Sequence, residues 1–181
     1  AILETQLRRL KTDHIDFYHF HGLTWETYEK HIREPGKMRL MRKAKAEGLI
    51  RHICASFHDH PEALIRLAET GEFDVFTVQY NLLFRELEPA LERCRQLGIG
   101  IVVMGPIGGG RLGVPSERIR ELLKGEAAST PEAALRFVLA NPAVHVALSG
   151  MSTLEQVEEN AAVVSQKEPF TPAQIAALEK E

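Results

Sequence analysis

Only two cysteines, Cys54 and Cys94, occur in 181 residues, and they share no Cys-x-x-Cys motif. A disulfide framework is excluded, and a reducing compartment, by default the cytoplasm, is expected. No apolar run approaches the roughly 20 residues that cross a bilayer, and the first residues lack the basic-then-apolar order of a signal peptide. Neither sign of charge dominates: 25 acidic against 22 basic residues leave a formal charge of -3. Acids and bases are interspersed without a basic stripe, so neither nucleic acid nor a membrane is an expected partner. Low-complexity segments and domain linkers are absent too. What remains, at 44% hydrophobic and 26% charged residues, is an ordinary globular composition for one domain over residues 1–181.

Periodicity and punctuation divide the chain. Leu3, Leu7 and Leu10 have helical spacing with no capping residue ahead of them, so a preceding segment is expected. A strand ends near His21, residues 23–35 read as an irregular loop holding the only Trp, and residues 36–48 read as a helix closed by glycine. Further strands are expected over 51–56, 74–80, 100–104 and 144–148. Helices are expected over 61–69, 86–97, 115–123 and 130–140, then from Ser152 to about Val164 and from Pro172 onward. Cys54 falls in a strand and Cys94 in an amphipathic helix, where both read as buried small hydrophobes. Five apolar strands, each separated from the next by at least one helix, define an α/β protein with a parallel sheet, either doubly wound or a barrel.

The richest stretch is Asp13-His14-Ile15-Asp16-Phe17-Tyr18-His19-Phe20-His21-Gly22. Alternation puts Ile15, Phe17, His19 and His21 on one face and Asp16, Tyr18 and Phe20 on the other. Parallel α/β sheets bind ligands outside the carboxyl ends of their strands, so His21 stands where chemistry is done, although a histidine can also simply cap a strand. Other strand ends add Ser56-Phe57-His58, Gln79-Tyr80-Asn81, Met104-Gly105-Pro106 and Ser149-Gly150. After the last strand, Ser152 and Glu155 have capping-box spacing, and the free N–H groups of a helix start there suit a phosphate. The glycine-rich loop Gly105-Pro106-Ile107-Gly108-Gly109-Gly110 can bring bare backbone to the same anion. Its overlap with a dinucleotide fingerprint at residues 108–113 lacks the following strand with an acidic residue. His19 and His21 also admit a second reading, as paired ligands of a metal-dependent hydrolase.

The chain from Leu7 onward resembles the aldo-keto reductase family. Residues 8–21 resemble the segment leading into the family's fourth barrel strand, which ends in the active-site histidine; that position is His21. Residues 48–56 resemble the fifth strand, whose serine (Ser56) contacts the nicotinamide carboxamide, and Val78-Gln79-Tyr80-Asn81 the sixth, whose glutamine (Gln79) does the same. Met104, Gly105, Pro106, Ile107, Gly108 and Gly110 match the seventh-strand loop under the pyrophosphate. Gly150, Ser152, Gln156, Glu159 and Asn160 match the eighth-strand segment that holds the adenosine 2'-phosphate and adenine. Residues 51–59 are most similar to the prokaryotic branch often fused to an iron-sulfur domain, without cluster-type cysteines.

This resemblance implies a (β/α)8 TIM barrel of which the chain supplies the last five βα units, strands 4 to 8. It implies an oxidoreductase that reduces the carbonyl of a small aldehyde or ketone with NADP, or alternatively NAD. In that chemistry a tyrosine, its pKa lowered by a lysine paired to an aspartate, protonates the oxygen while the histidine orients the carbonyl. The tyrosine, lysine and aspartate belong to the first three strands. A missing amino-terminal segment, or another chain, is therefore expected to complete the barrel, because unpaired edges and an uncovered interior must pair with something. A non-catalytic barrel subunit that only binds the cofactor is the alternative. Departures from the family pattern are Phe57 in place of an asparagine, Met104 in place of a stacking tyrosine, and Gly150 and Gln156 in place of phosphate-gripping cations.

Overall fold

The computed structural model describes residues 2–33, 36–124, 127–166 and 168–178. Helix α1 (Ile2–Leu10) leads into β1 (Ile15–Leu23); Leu7 is buried, but Leu10 is largely exposed despite its helical spacing. The units that follow are α2 (Trp25–Thr27), α3 (Lys37–Ala46), β2 (Ile50–Phe57), α4 (Pro61–Glu69), β3 (Val75–Gln79), α5 (Glu88–Gln96) and β4 (Gly100–Met104). A 3-10 segment (Gly108–Gly113), α6 (Glu117–Leu122), α7 (Thr130–Ala140), β5 (Val146–Leu148), α8 (Leu154–Gln166) and α9 (Pro172–Leu178) complete the order.

Residues 25–33 are helical, not an irregular loop; residues 34–35 of that expected loop lie outside the described residues. Thr24 starts the helix by accepting the Thr27 N–H at 3.1 Å, and α2 continues directly into a π-helical turn over Tyr28–Arg33. Tyr28 and Ile32, one turn apart, are both buried, and the Arg66 guanidinium stacks 3.8 Å from the centre of the Trp25 ring. Tertiary packing thus makes a helix from a segment of weak helical propensity. The last strand is also shorter than residues 144–148, because Asn141 accepts the Ala143 and Val144 N–H groups in a turn that delays it.

All four strand pairings are parallel, and spatial order equals chain order, β1-β2-β3-β4-β5. A doubly wound sheet reverses order at a switch point, whereas sequential order with right-handed crossovers is that of a (β/α)8 barrel. Among the described residues the sheet is an open section of such a barrel, with β1 and β5 at its edges. On its outer face Ala55, Phe57, Phe76, Val78, Ile101 and Val103 form one core with Leu64, Leu67, Leu91 and Phe137 from the helices. Register then fixes the inner face: Ser56, Thr77, Val102 and Val146 lie in one row, and Gln79, Met104 and Leu148 in the next.

Candidate active site

A bulge at the carboxyl end of β1 places His21. The β1–β2 register shifts between Phe20 and Leu23, and Gly22 takes φ +63°, a conformation that favours glycine. Its N–H donates to Ser56 Oγ at 2.8 Å, and the same oxygen lies 3.4 Å from His21 Nδ1. Ser56 Oγ thus bridges the Gly22 amide and the His21 ring and fixes where the imidazole stands. The imidazole is exposed at the open side of the sheet.

His19, two residues earlier on the same face, is differently employed. Its Nδ1 lies 3.3 Å from the Phe17 carbonyl and must donate there, which leaves Nε2 to accept the Thr77 hydroxyl at 3.2 Å. Both ring nitrogens have partners within the sheet. Among the described residues no three His, Cys, Asp or Glu side chains are grouped to hold a metal ion.

Gln79 and Met104 are register partners on β3 and β4, next to Leu148 on β5. Gly105 follows at φ +63°, then buried Pro106, Ile107, and Gly108, Gly109 and Gly110, all three at positive φ. Nothing within 4 Å faces the Cβ position of Gly105, Gly109 or Gly110, so a bulky anion can lie directly on this backbone. Phe57, which replaces an asparagine in the resemblance, points the other way and is buried in the outer core.

At the end of β5, Asn160 Nδ2 donates to Ser149 Oγ at 3.2 Å and ties α8 to the strand. The capping pair there is Thr153 with Gln156, not Ser152 with Glu155. Thr153 Oγ1 accepts the Gln156 N–H at 3.3 Å, and Gln156 Oε1 accepts the N–H groups of Ser152 and Thr153 at 2.7 and 3.3 Å. Gln156 therefore sits on donors that the sequence assigns to a phosphate. Exposed Gly150 lies between this cap and β5. Glu159 forms one wall of a cavity of about 330 Å³ whose other walls include Ser116, Ile119, Arg120 and Thr130.

The chain has three tyrosines, and none belongs to this site. Tyr18 donates to Gln6 at 2.7 Å, Tyr28 to Glu72 at 3.1 Å and Tyr80 to Glu88 at 2.9 Å. Burial pushes the Tyr28 and Tyr80 hydroxyls above the usual range, opposite to what a proton-donating tyrosine needs. Two residues to which sequence reading assigned no role of their own stand out. Thr77 fixes His19, and Asn81, 1% exposed, joins the β3 turn to the loop after β4. An Asx turn directly after a strand was the readable signal for Asn81.

A sequential parallel sheet section with a histidine, a glutamine and a glycine loop at its strand ends is the arrangement of a (β/α)8 barrel protein with its site at the carboxyl ends of the strands. The chain belongs to the aldo/keto reductase family, whose model matches residues 1–180. It is 30% identical over 158 residues to the uncharacterized oxidoreductase C215.11c of Schizosaccharomyces pombe, covering 85% of this chain and 48% of that protein. Among solved structures it is similar to the aldo-keto reductase AKR11C1 of Bacillus halodurans in its holo form. The TM-score is 0.83 at 27% identity, over 99% of this chain and 62% of that one. It is likewise similar to an aldo/keto reductase from Klebsiella pneumoniae in complex with NADP and acetate (TM-score 0.78, 27% identity, 98% and 62% covered). The chain thus spans about half to three-fifths of the length of these relatives.

Proposed function

We propose that this chain carries the carbonyl-orienting and dinucleotide-binding strand ends of an NAD(P)H-dependent reductase of small aldehydes or ketones, with NADP as its cofactor and the cytoplasm as its compartment. The single observation that carries the reading is the His21–Ser56–Gly22 junction, which holds the His21 imidazole at the open end of the sheet. The His21 imidazole donates to the carbonyl oxygen and orients it. Ser56 positions the imidazole, Gln79 and Met104 hold the carboxamide and one face of the nicotinamide, and residues 105–110 lie beneath the pyrophosphate. Ser152, Gln156, Glu159 and Asn160 face the adenosine, for which the cavity beside Glu159 offers room. NADPH held there would supply the hydride that forms the C–H bond at the carbonyl carbon and would become NADP⁺, the π-bond electron pair passing to the oxygen.

The oxygen must also receive a proton, and this chain's tyrosine hydroxyls are engaged elsewhere. The donor tyrosine, with its lysine and aspartate, comes from three further βα units, supplied by a preceding segment or another chain. The 181-residue chain alone is expected to bind NADPH without turning a carbonyl over. Calorimetric titration tests this. Saturable binding is expected, weakened about tenfold in Gln79→Ala through loss of one to two hydrogen bonds. Binding that Gln79→Ala leaves untouched contradicts the reading.

A further inference from the structure

One buried side chain joins two successive βα units by a hydrogen bond. The backbone of Asn81 pairs in both directions with Phe84, at 3.1 and 3.0 Å, and closes the turn after β3. The acceptor half of its amide serves that turn, taking the Leu83 N–H at 2.9 Å. The donor half does not. Asn81 Nδ2 crosses to the carbonyl of Gly105, 24 residues on, at 3.0 Å. The same carbonyl accepts the Gly108 N–H at 2.9 Å, so it is held from two sides. The Cβ position of Gly108 faces Leu83 Cδ1 at 3.7 Å and Asn81 Oδ1 at 3.9 Å, which seats the loop on the turn.

Four glycines at positive φ give this loop more freedom in the unfolded chain than any other stretch here. Its internal bonds, from Gly110 and Leu112 N–H to Ile107 O at 3.1 Å, are local. Leu112 anchors the far end in the core, and the near end has the Asn81 amide. We infer that Asn81 is a positioning residue for the dinucleotide: by fixing the Gly105 carbonyl it holds the backbone of Gly105–Gly110 in the shape that takes a pyrophosphate, and it couples that loop to Gln79 two residues before it. The inference rests on the proposed function.

The experiment uses the 181-residue chain, as wild type, Asn81→Ala and Asn81→Asp. Asn81→Asp keeps an acceptor for Leu83 N–H but, ionised, has no donor for Gly105. Amide hydrogen exchange and calorimetric titration with NADPH are measured on each. Exchange at Gly108, Gly110 and Leu112 is expected to rise about tenfold in both variants, with Val78 and Val103 unchanged, and the NADPH dissociation constant to rise about tenfold. A turn-only role predicts that Asn81→Asp behaves as wild type, and that result overturns the inference. Faster loop exchange with unchanged NADPH affinity overturns it too. Wild type that takes up no NADPH removes the reductase reading and the dinucleotide with it, while unchanged exchange removes the latch itself, so the two failures are distinct. Should β3 and β4 lose protection in either variant, Asn81→Ser, which keeps an acceptor for the turn, replaces it.

Discussion

On the helix side of the sheet Phe76, Val78, Ile101 and Val103 are completely buried, whereas on the other side Phe17, Val146 and Leu148 keep about half of their surface open (53, 44 and 52%). Both faces belong to the same strands, so the difference comes from what lies against them. The outer face meets α4, α5 and α7 and carries the hydrophobic stabilisation of the domain. The inner face gathers His21, Gln79 and Met104 at its carboxyl end around a buried Ser56. Stability and the proposed chemistry thus fall on opposite sides of one sheet.

The largest effect that separates the two faces is catalytic. In a preparation that reduces a small aldehyde, His21→Ala lowers kcat/KM about 10²- to 10⁴-fold, with the melting temperature within about 2 °C of wild type. A large drop in melting temperature would make His21 a structural residue. Next comes a pair of truncations followed by urea unfolding. Phe76→Ala loses about 3–5 kcal/mol, while Leu148→Ala loses less than about 1 kcal/mol because half of its surface never leaves water. Equal losses would mean that the inner face is covered in solution.

Alkali probes the base of the inner face, where Cys54 is dry. Burial pushes the thiols of Cys54 and of Cys94, on the opposite side, up from 9.0 to about 12. The folded state therefore holds these protons more tightly than the unfolded one. Its stability should be level below pH 9, fall as pH rises from 9 to 12, and stay lowered above that. Iodoacetamide at pH 8 should leave both thiols intact until the chain unfolds; rapid alkylation of Cys54 alone would show that this base opens. The smallest effect concerns the exposed end of β5: Thr153→Ala removes the α8 cap and about 1 kcal/mol, whereas Ser152→Ala is near neutral.

Punctuation decided how much of this could be read in advance. Helix α4 runs between Pro61 and Glu69 and β4 between Gly100 and Met104, as expected, because proline and glycine mark their ends. The place of His21 near the carboxyl end of β1 was legible, since His-Gly closes the apolar run of the strand. Residues 25–33 hid their helix, whose formation depends on burying Tyr28 and Ile32 against distant residues. The α8 cap slipped by one position because Ser152-Thr153 followed by Glu155-Gln156 satisfies the box in two registers. The Asn81–Gly105 bond joins two βα units, and no local pattern reports it.

The most direct measurement is an amide-exchange map of the chain with and without saturating NADPH. Protection is expected at Gly22, at Gln79, over residues 105–110 and over 152–160, all at the carboxyl ends of the strands, with the outer helices unchanged. Protection confined to α3, α4 and α5, or none at any concentration, would contradict the assignment of the open face to the dinucleotide.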